Sequence, residues 1–559
     1  MKKLIFGFII LFFSSILFAE IREAEMEFKD FLKEKVKKIS QLEKEANLAY
    51  WLAATTGKKE HYKKYEEASK KLSEFFSRKE DFKYLKKLKE SESIKDPILR
   101  RQLEILYNRY LTNQIPRKLR EKIIELSAEV EKDFSTFRPV IDGKEYTTNQ
   151  IVEILKTSRD EKLREKAWKA AKKVGSKIVK KLKELVRLRN EAARTLGFKN
   201  YYVMALTLSE QKEEEILKIF DELAALTEEP FKKIKSDIDR RIAEKLGKKP
   251  EDLMPWDYED LFFQEVPMVY EVDLDGFYKG KDIPAIARKY YSSIGLQVED
   301  ILQRSDLFEK PGKNPHAFCI DIDRNGDVRI LANLKDNEHW MATVLHELGH
   351  GVYSKYADET NLPYLLRTEA HAFTTEAVAM FFERLTKNPW WTAQMLNKPL
   401  KKVLKYREAM FRYLQASQLI FARWTQVMMR FERALYTDPE QDLNGLWWKL
   451  VERYQGVKKP AGRDEPDWAT KIHIALYPVY YHNYMLGSLL ASQFHSYIVE
   501  KIYGKKDAEG ISFANNREIG RFFVEKVFKA GARYRWNEMI EKATGQPLSA
   551  KFFARQFVK

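Results

Sequence analysis

The feature that most constrains this chain is His346-Glu347-Leu348-Gly349-His350, an H-E-x-x-H pattern. It sits in the stretch WMATVLHELGHGVYSKYADETNLPYLLRTEAHAFTTEAVAMFFERL, residues 340–385. The residues around it read as a helix. Side chains four apart share one helical face, so the imidazoles of His346 and His350 can meet one metal ion. Glu347, beside the first histidine, is then placed to take a proton from water at that ion. A two-histidine zinc site still needs a third ligand and an open position for water. The acid-bearing segment that follows offers Glu369, His371, Glu376 and Glu383. The three glutamates recur every seven residues on one face, so spacing alone does not choose among them.

Five-residue patterns arise by chance in the helices of a Glu-rich chain, so context decides. Here the motif follows a strand-like segment and precedes an acid-bearing helix. HELGH followed by TEAVAMFFE resembles the zinc peptidases that use glutamate as the third ligand, the gluzincins. The nearest patterns are those of the angiotensin-converting-enzyme-like peptidases and of the thimet oligopeptidase/neurolysin group. In both, the third ligand opens an E-A pair one helix downstream, which maps onto Glu376-Ala377. The resemblance therefore implies one Zn2+ held by His346, His350 and Glu376. The oligopeptidase group carries a further glutamate seven residues on, which puts Glu383 behind the ligands, with Glu369 in a similar supporting place. The converting-enzyme group has an acid four residues on, where this chain has Met380. That departure leaves the partner of His346 unassigned.

A second constellation is Lys471-Ile472-His473 followed by Tyr480, Tyr481 and Tyr484. Peptide hydrolysis develops negative charge on the carbonyl oxygen, which needs hydrogen-bond donors opposite the metal. His473 and a tyrosine are such donors, because a tyrosine hydroxyl stays protonated at neutral pH. Both resembled groups carry a histidine followed by paired tyrosines. Tyr481 and Tyr484 preserve the Y-x-x-Y spacing, whereas Tyr480 preserves the distance from His473. Lys471 matches the lysine that meets a substrate carboxylate in the converting-enzyme group, and Gln264, in the aromatic stretch PWDYEDLFFQ, matches a second such residue. The arginine tied to chloride dependence in those enzymes is replaced by His482-Asn483.

The stretch Ala317–Leu334 reads as a β-hairpin about Arg324-Asn325-Gly326-Asp327, with Asn-Gly as a type I′ turn signal. The letters D-I-D-R-N-G-D mimic an EF-hand loop, but the twelfth place is Ala332 and not the glutamate that calcium requires. By resemblance, the segment Ile330 to Asn333, with Ala332 at its centre, pairs with extended substrate. Arg189-Asn190-Glu191-Ala192-Ala193-Arg194 with Leu196-Gly197-Phe198 resembles a scaffold segment of the same peptidases.

Residues 1–19 have the layout of a secretory signal peptide, or of an uncleaved anchor given Leu17 near the junction. A single Cys, Cys319, excludes an intramolecular disulfide framework. Together these point to export, periplasmic or extracellular in a bacterial-type cell, and membrane-anchored if the leader stays. Net charge is +17, yet the lysines alternate with glutamates on helical faces and no RNA-binding signature accompanies them, so nucleic acid is not a partner. No membrane partner beyond the leader is expected, and the chain should be a monomer or weak dimer.

The resemblance implies a mainly α, two-lobed helical fold of neurolysin/angiotensin-converting-enzyme type. It would have a deep channel and a small β-sheet beside the zinc helix. Residues 20–559 would form one catalytic domain, with 20–132 as candidate lid helices. The implied activity is hydrolysis of short peptides, as an oligopeptidase first. A dipeptidyl carboxypeptidase is the alternative, and an inactive peptide-binding protein is the rival of another class. Lys471 favours a carboxylate-anchored exopeptidase, whereas Glu383 favours an oligopeptidase.

Overall fold

The computed structural model describes residues 2–270 and 272–558, with side chains from residue 19 onward. The side chains of the leader up to residue 18 therefore lie outside the described residues. Helix makes up 71% of the chain, and the two sheets among the described residues have two strands each. The mainly α expectation holds. Among the described residues, no helix is long and apolar enough to cross a membrane.

The N-terminal helices Lys2–Thr56, Lys59–Phe76, Lys79–Ser91 and Pro97–Thr112 pack on one another. Asp96 starts the last of these by accepting hydrogen bonds from Ile98 N and Leu99 N at 2.8 and 2.9 Å, with Pro97 in the first turn. Their apolar stripes bury Phe28, Leu32, Phe75, Leu85 and Tyr110 in a cluster separate from the main core, which Leu365 joins from later in the chain. The main core begins at Val130, so the two clusters divide between Tyr110 and Val130. Polar contacts tie this layer to the rest. Lys44 pairs with Asp323 at 2.9 Å, and Asn47 donates to the carbonyls of Asp321 and Ile322 at 3.0 and 3.2 Å.

The hairpin pairs Phe318–Asp321 antiparallel to Val328–Leu331, with Cys319 opposite Ile330. Its connection is longer than the Asn-Gly turn expected from sequence. The Asp321 carboxylate accepts from Asp323 N and Arg324 N, and Asp323 in turn accepts from Asn325 N, which winds the loop around its own aspartates. Arg324 and Gly326 take the positive φ values, 51° and 94°.

The expected role of Ala332 is also overturned. Ala332 N donates to Asp306 O, its carbonyl accepts from Lys313 Nζ, and the residue has no exposure. Ile330 N is likewise taken by Ser305 Oγ at 2.8 Å. With Ser305–Asp306 along one side and the first strand along the other, the second strand has no edge left for a substrate. The outer edge of the sheet belongs to Phe318–Asp321.

The helix Glu338–Asp358 carries H-E-x-x-H, and Ala372–Glu383 carries Glu376. Asn337 caps the first by accepting from Trp340 N at 2.9 Å. Gly349 explains how closely the two helices cross. A Cβ there would lie 2.7 Å from Ala379 Cα, inside any tolerable contact. On the opposite side, His482–Tyr497 packs on Ala372–Glu383 through Gly487, where a Cβ would lie 3.1 Å from Glu376 Cβ. The glutamate-bearing helix is thus held between the histidine helix and the tyrosine helix.

Candidate metal centre and active site

One helical turn aligns His346 and His350, and the close crossing at Gly349 brings Glu376 to them. His346 Nε2 and His350 Nε2 are 3.2 Å apart, and Glu376 Oε2 is 3.6 and 4.0 Å from them. The other nitrogen of each ring is engaged. His346 Nδ1 donates to Glu383 Oε2 at 2.6 Å, and His350 Nδ1 lies 2.7 Å from Thr375 Oγ1. With Nδ1–H spent on these partners, both Nε2 lone pairs face one point together with a carboxylate oxygen. Such a convergence needs a cation or a proton at its centre. Zinc bonds of about 2.0–2.2 Å at tetrahedral angles separate ligands by roughly 3.3–3.6 Å. The observed separations of 3.2, 3.6 and 4.0 Å bracket that range, and two imidazole nitrogens with a carboxylate oxygen are ligand types zinc takes, so the donor set fits zinc.

Electrostatics follow the same geometry. Burial opposes charge on His346, but Glu383, Glu347 and Glu376 outweigh it and hold its pKa up to about 10. Burial, with that positive neighbour, holds His350 well below the usual imidazole range. Without metal the pair therefore carries a single positive charge, on the ring beside Glu383. Glu347 is buried against the first hairpin strand, whose Cys319 amide hydrogen-bonds its carboxylate. Burial, with Glu376 and Glu383 nearby, raises Glu347 to about 7 against the pull of His346.

The remaining candidates separate clearly. Glu383 supplies the partner of His346 that sequence left open. Thr375, the partner of His350, was not singled out, because one hydroxyl beside Glu376 carries no signal of its own. Glu369 accepts from Thr368 Oγ1 at 2.6 Å and not from a histidine of the cluster, so it does not support the ligands as expected. His371 is no competitor for Glu376, since its Nδ1 accepts from Phe373 N and caps the helix.

The second constellation forms a row leading away from the cluster. The rings of Tyr480 and Tyr484 are 5.3 Å apart, and the charge of Glu376, after burial, helps to raise both hydroxyls. Tyr484 lies 5.5 Å from Tyr481, and His473 lies 4.8 Å from Tyr481 and 6.3 Å from Tyr484, all by ring centroid. Burial, then the charge of Lys471, lowers His473 to about 4, so its ring is neutral. Its Nδ1 is buried without a hydrogen-bond partner among the described residues.

Tyr481 turns the other way. Its hydroxyl accepts from Trp424 Nε1 at 2.9 Å, and its ring lies 5.2 Å from Lys471 Nζ. Tyr481 therefore stands on the Lys471 side of the row, and Tyr480 and Tyr484 stand on the metal side.

Lys471 Nζ donates to Gln264 Oε1 at 2.5 Å, joining residues from distant parts of the chain. Asp260 sets the position of Gln264 by accepting from the amides of Phe262, Gln264 and Glu265. The ammonium sits among Phe262, Trp424 and Tyr481, and burial lowers its pKa to about 8 despite Asp260 and Glu265. The Lys471 ammonium is thus buried facing an amide oxygen and aromatic rings, with no carboxylate hydrogen-bonded to it among the described residues. The Arg189-Asn190 segment props this region from behind. Arg189 donates to Tyr436 OH and to Ala475 O, and Asn190 donates to Tyr436 O.

Comparison with known proteins bears on the family of the chain. The family model described as angiotensin-converting enzyme matches residues 22–251 and 269–558. An angiotensin-converting enzyme of Theromyzon tessulatum is 22% identical over 82% of this chain and 79% of its own. One of Sus scrofa is 24% identical over 47% of this chain and 20% of its own. A thermostable carboxypeptidase 1 of Pyrococcus furiosus is 24% identical over 72% of this chain and 78% of its own.

Proposed function

Because the chain belongs to the angiotensin-converting-enzyme family of peptidases, we propose that it removes dipeptides from the C-terminal ends of short, unstructured peptides. The family makes it a zinc metallopeptidase. The dipeptidyl mode rests on one observation, the contact of Lys471 with Gln264 beside Tyr481. An enzyme that cuts internal bonds has no use for a buried carboxylate receptor in line with its metal site. Glu383, which sequence aligned with the oligopeptidases, is accounted for as the partner of His346 and does not bear on the mode.

In this reading His346, His350 and Glu376 hold one zinc ion. Bound zinc supplies Lewis acidity at the scissile carbonyl and acidifies water in the site. Glu347, with a pKa near 7, takes a proton from water and returns it to the leaving amine. Tyr484 and neutral His473 donate hydrogen bonds to the carbonyl oxygen as it gains charge. Lys471, Gln264 and Tyr481 hold the terminal carboxylate, and the outer edge of Phe318–Asp321 lies along the extended backbone. The leader of residues 1–19 supports export of such an enzyme.

Paired substrates, one with a free C-terminus and one amidated, test the anchor. Truncating a buried charge partner costs about 2–5 kcal/mol. Lys471→Met should therefore lower kcat/KM for the free acid by roughly 30-fold to several-thousand-fold and barely change that for the amide. Equal losses on both substrates would remove the carboxylate-receptor reading.

A further inference from the structure

A second cavity, of about 890 Å³, lies beyond the C-terminal end of the Ala372–Glu383 helix, lined by none of the residues in the catalytic row. Phe381, Trp390, Phe411, Phe513 and Phe557 give it an apolar wall, and Arg384 stands in that wall. The other cations there are neutralised or at the rim. Arg407 pairs with Glu509, Arg555 with Glu500, and Lys387 with Glu338, while Lys405 and Lys506 are exposed.

Arg384 differs from these. Its Nη2 donates to Gln418 Oε1 at 2.8 Å and to Ser488 Oγ at 2.7 Å, and its Nη1 reaches Ser492 Oγ only at 3.4 Å. Its Nε is buried without a hydrogen-bond partner among the described residues. All of these partners are neutral. The neighbouring acid, Glu383, is turned to His346. A guanidinium carries five N–H donors in a planar fork that suits carboxylates, and burying its charge without a counterion is costly.

A guanidinium whose hydrogen-bond partners are all neutral, at an aromatic-walled cavity of ligand size, suits an anion with an apolar body. We propose that this cavity binds a small monocarboxylate with an apolar tail, its headgroup on Arg384, as a second ligand site separate from the metal centre. The tail occupies the aromatic end, and the carboxylate meets the free N–H groups of the fork.

Calorimetric titration of the full chain with decanoate tests the site, with decanol and chloride as controls for head and tail. The expected result is saturable decanoate binding, at least tenfold tighter than decanol and not displaced by equimolar chloride. Arg384→Met should weaken it at least tenfold. Ala508→Trp, a substitution of a half-buried residue on the cavity wall, fills the space, leaves Arg384 in place and should also abolish binding. Decanoate should still bind when a peptide hydroxamate occupies the metal centre. No binding by the wild-type chain, equal binding of decanol, displacement by chloride or unchanged binding in the Ala508 variant would each overturn the proposal. Mutual exclusion with the hydroxamate would instead make the cavity part of the substrate channel and overturn its separateness.

Discussion

Glu383→Gln isolates the contribution of one carboxylate to the metal site. The substitution keeps the shape of the side chain and an acceptor oxygen, and removes only its charge. The bond it weakens is 2.6 Å long, between His346 Nδ1 and Glu383 Oε2, within the range of charge-assisted contacts. Outer partners of this kind change metal affinity by about 10–100-fold, or roughly 1.4–2.7 kcal/mol. Competition with a chromophoric chelator reads the zinc affinity directly. Metal-free protein gives an independent readout, because Glu383 leads the charges that hold His346 up to about 10 against burial. In the variant the His346 titration followed by NMR should move down. In metal-free wild type this stabilisation is fully present below pH 6.5 and lost as pH rises through about 10. The variant should lose it at lower pH. Thr375→Val, which removes a neutral partner of His350, should cost less zinc affinity than Glu383→Gln. Unchanged zinc affinity together with an unmoved His346 titration would refute this account of the ligand support.

Tyr484→Phe should lower kcat by about 10²–10³-fold with little change in KM, as for loss of an oxyanion donor. Tyr481→Phe should mainly raise KM for free-acid substrates, and steady-state kinetics on both variants separates the two roles. Glu432, buried and raised by that burial from 4.5 to about 8, accepts from Val479 N just before the tyrosines. Its contribution to stability is full below pH 4.5 and is lost as pH rises through 8. Glu432→Gln should flatten that part of the stability–pH curve, measured by denaturant unfolding from pH 5 to 9. Gly349→Ala places a Cβ 2.7 Å from Ala379 Cα. It should destabilise by about 1–3 kcal/mol, as overpacked cores do, and loosen zinc, both measurable by thermal unfolding with and without metal.

Local pattern made the helical class, the two histidines and the base legible, because their spacing is fixed within one helical turn, whereas only resemblance selects Glu376 over Glu369 and Glu383. The meeting of Lys471 with Gln264 was proposed only through resemblance. Their separation of 207 positions leaves no periodic trace, and the Asp260 clamp that presents Gln264 is backbone geometry. Thr375 and Trp424 were illegible for a similar reason, each acting through a single side-chain atom whose direction is set by packing. The hairpin itself was readable, but its free edge was not. Ser305 and Asp306, from outside the hairpin, take the side of Ile330 and Ala332 that the sequence appeared to leave open. The aspartate-wound loop displaced the expected Asn-Gly turn because Asp321 takes the amides of Asp323 and Arg324 and Asp323 takes that of Asn325. Apart from the aspartate-wound loop and the Asp260 clamp, which are local, the missing information was a long-range contact and not a local preference.

The most direct test of the central claim is mass-spectrometric product mapping of zinc-loaded wild type on a set of N-blocked peptides of graded length. A carboxylate-anchored site predicts that every free-acid peptide loses two residues at a time from its C-terminal end, whatever its length, and that the amidated set resists cleavage. Cuts at scattered internal bonds, made equally in free-acid and amidated peptides, would contradict it.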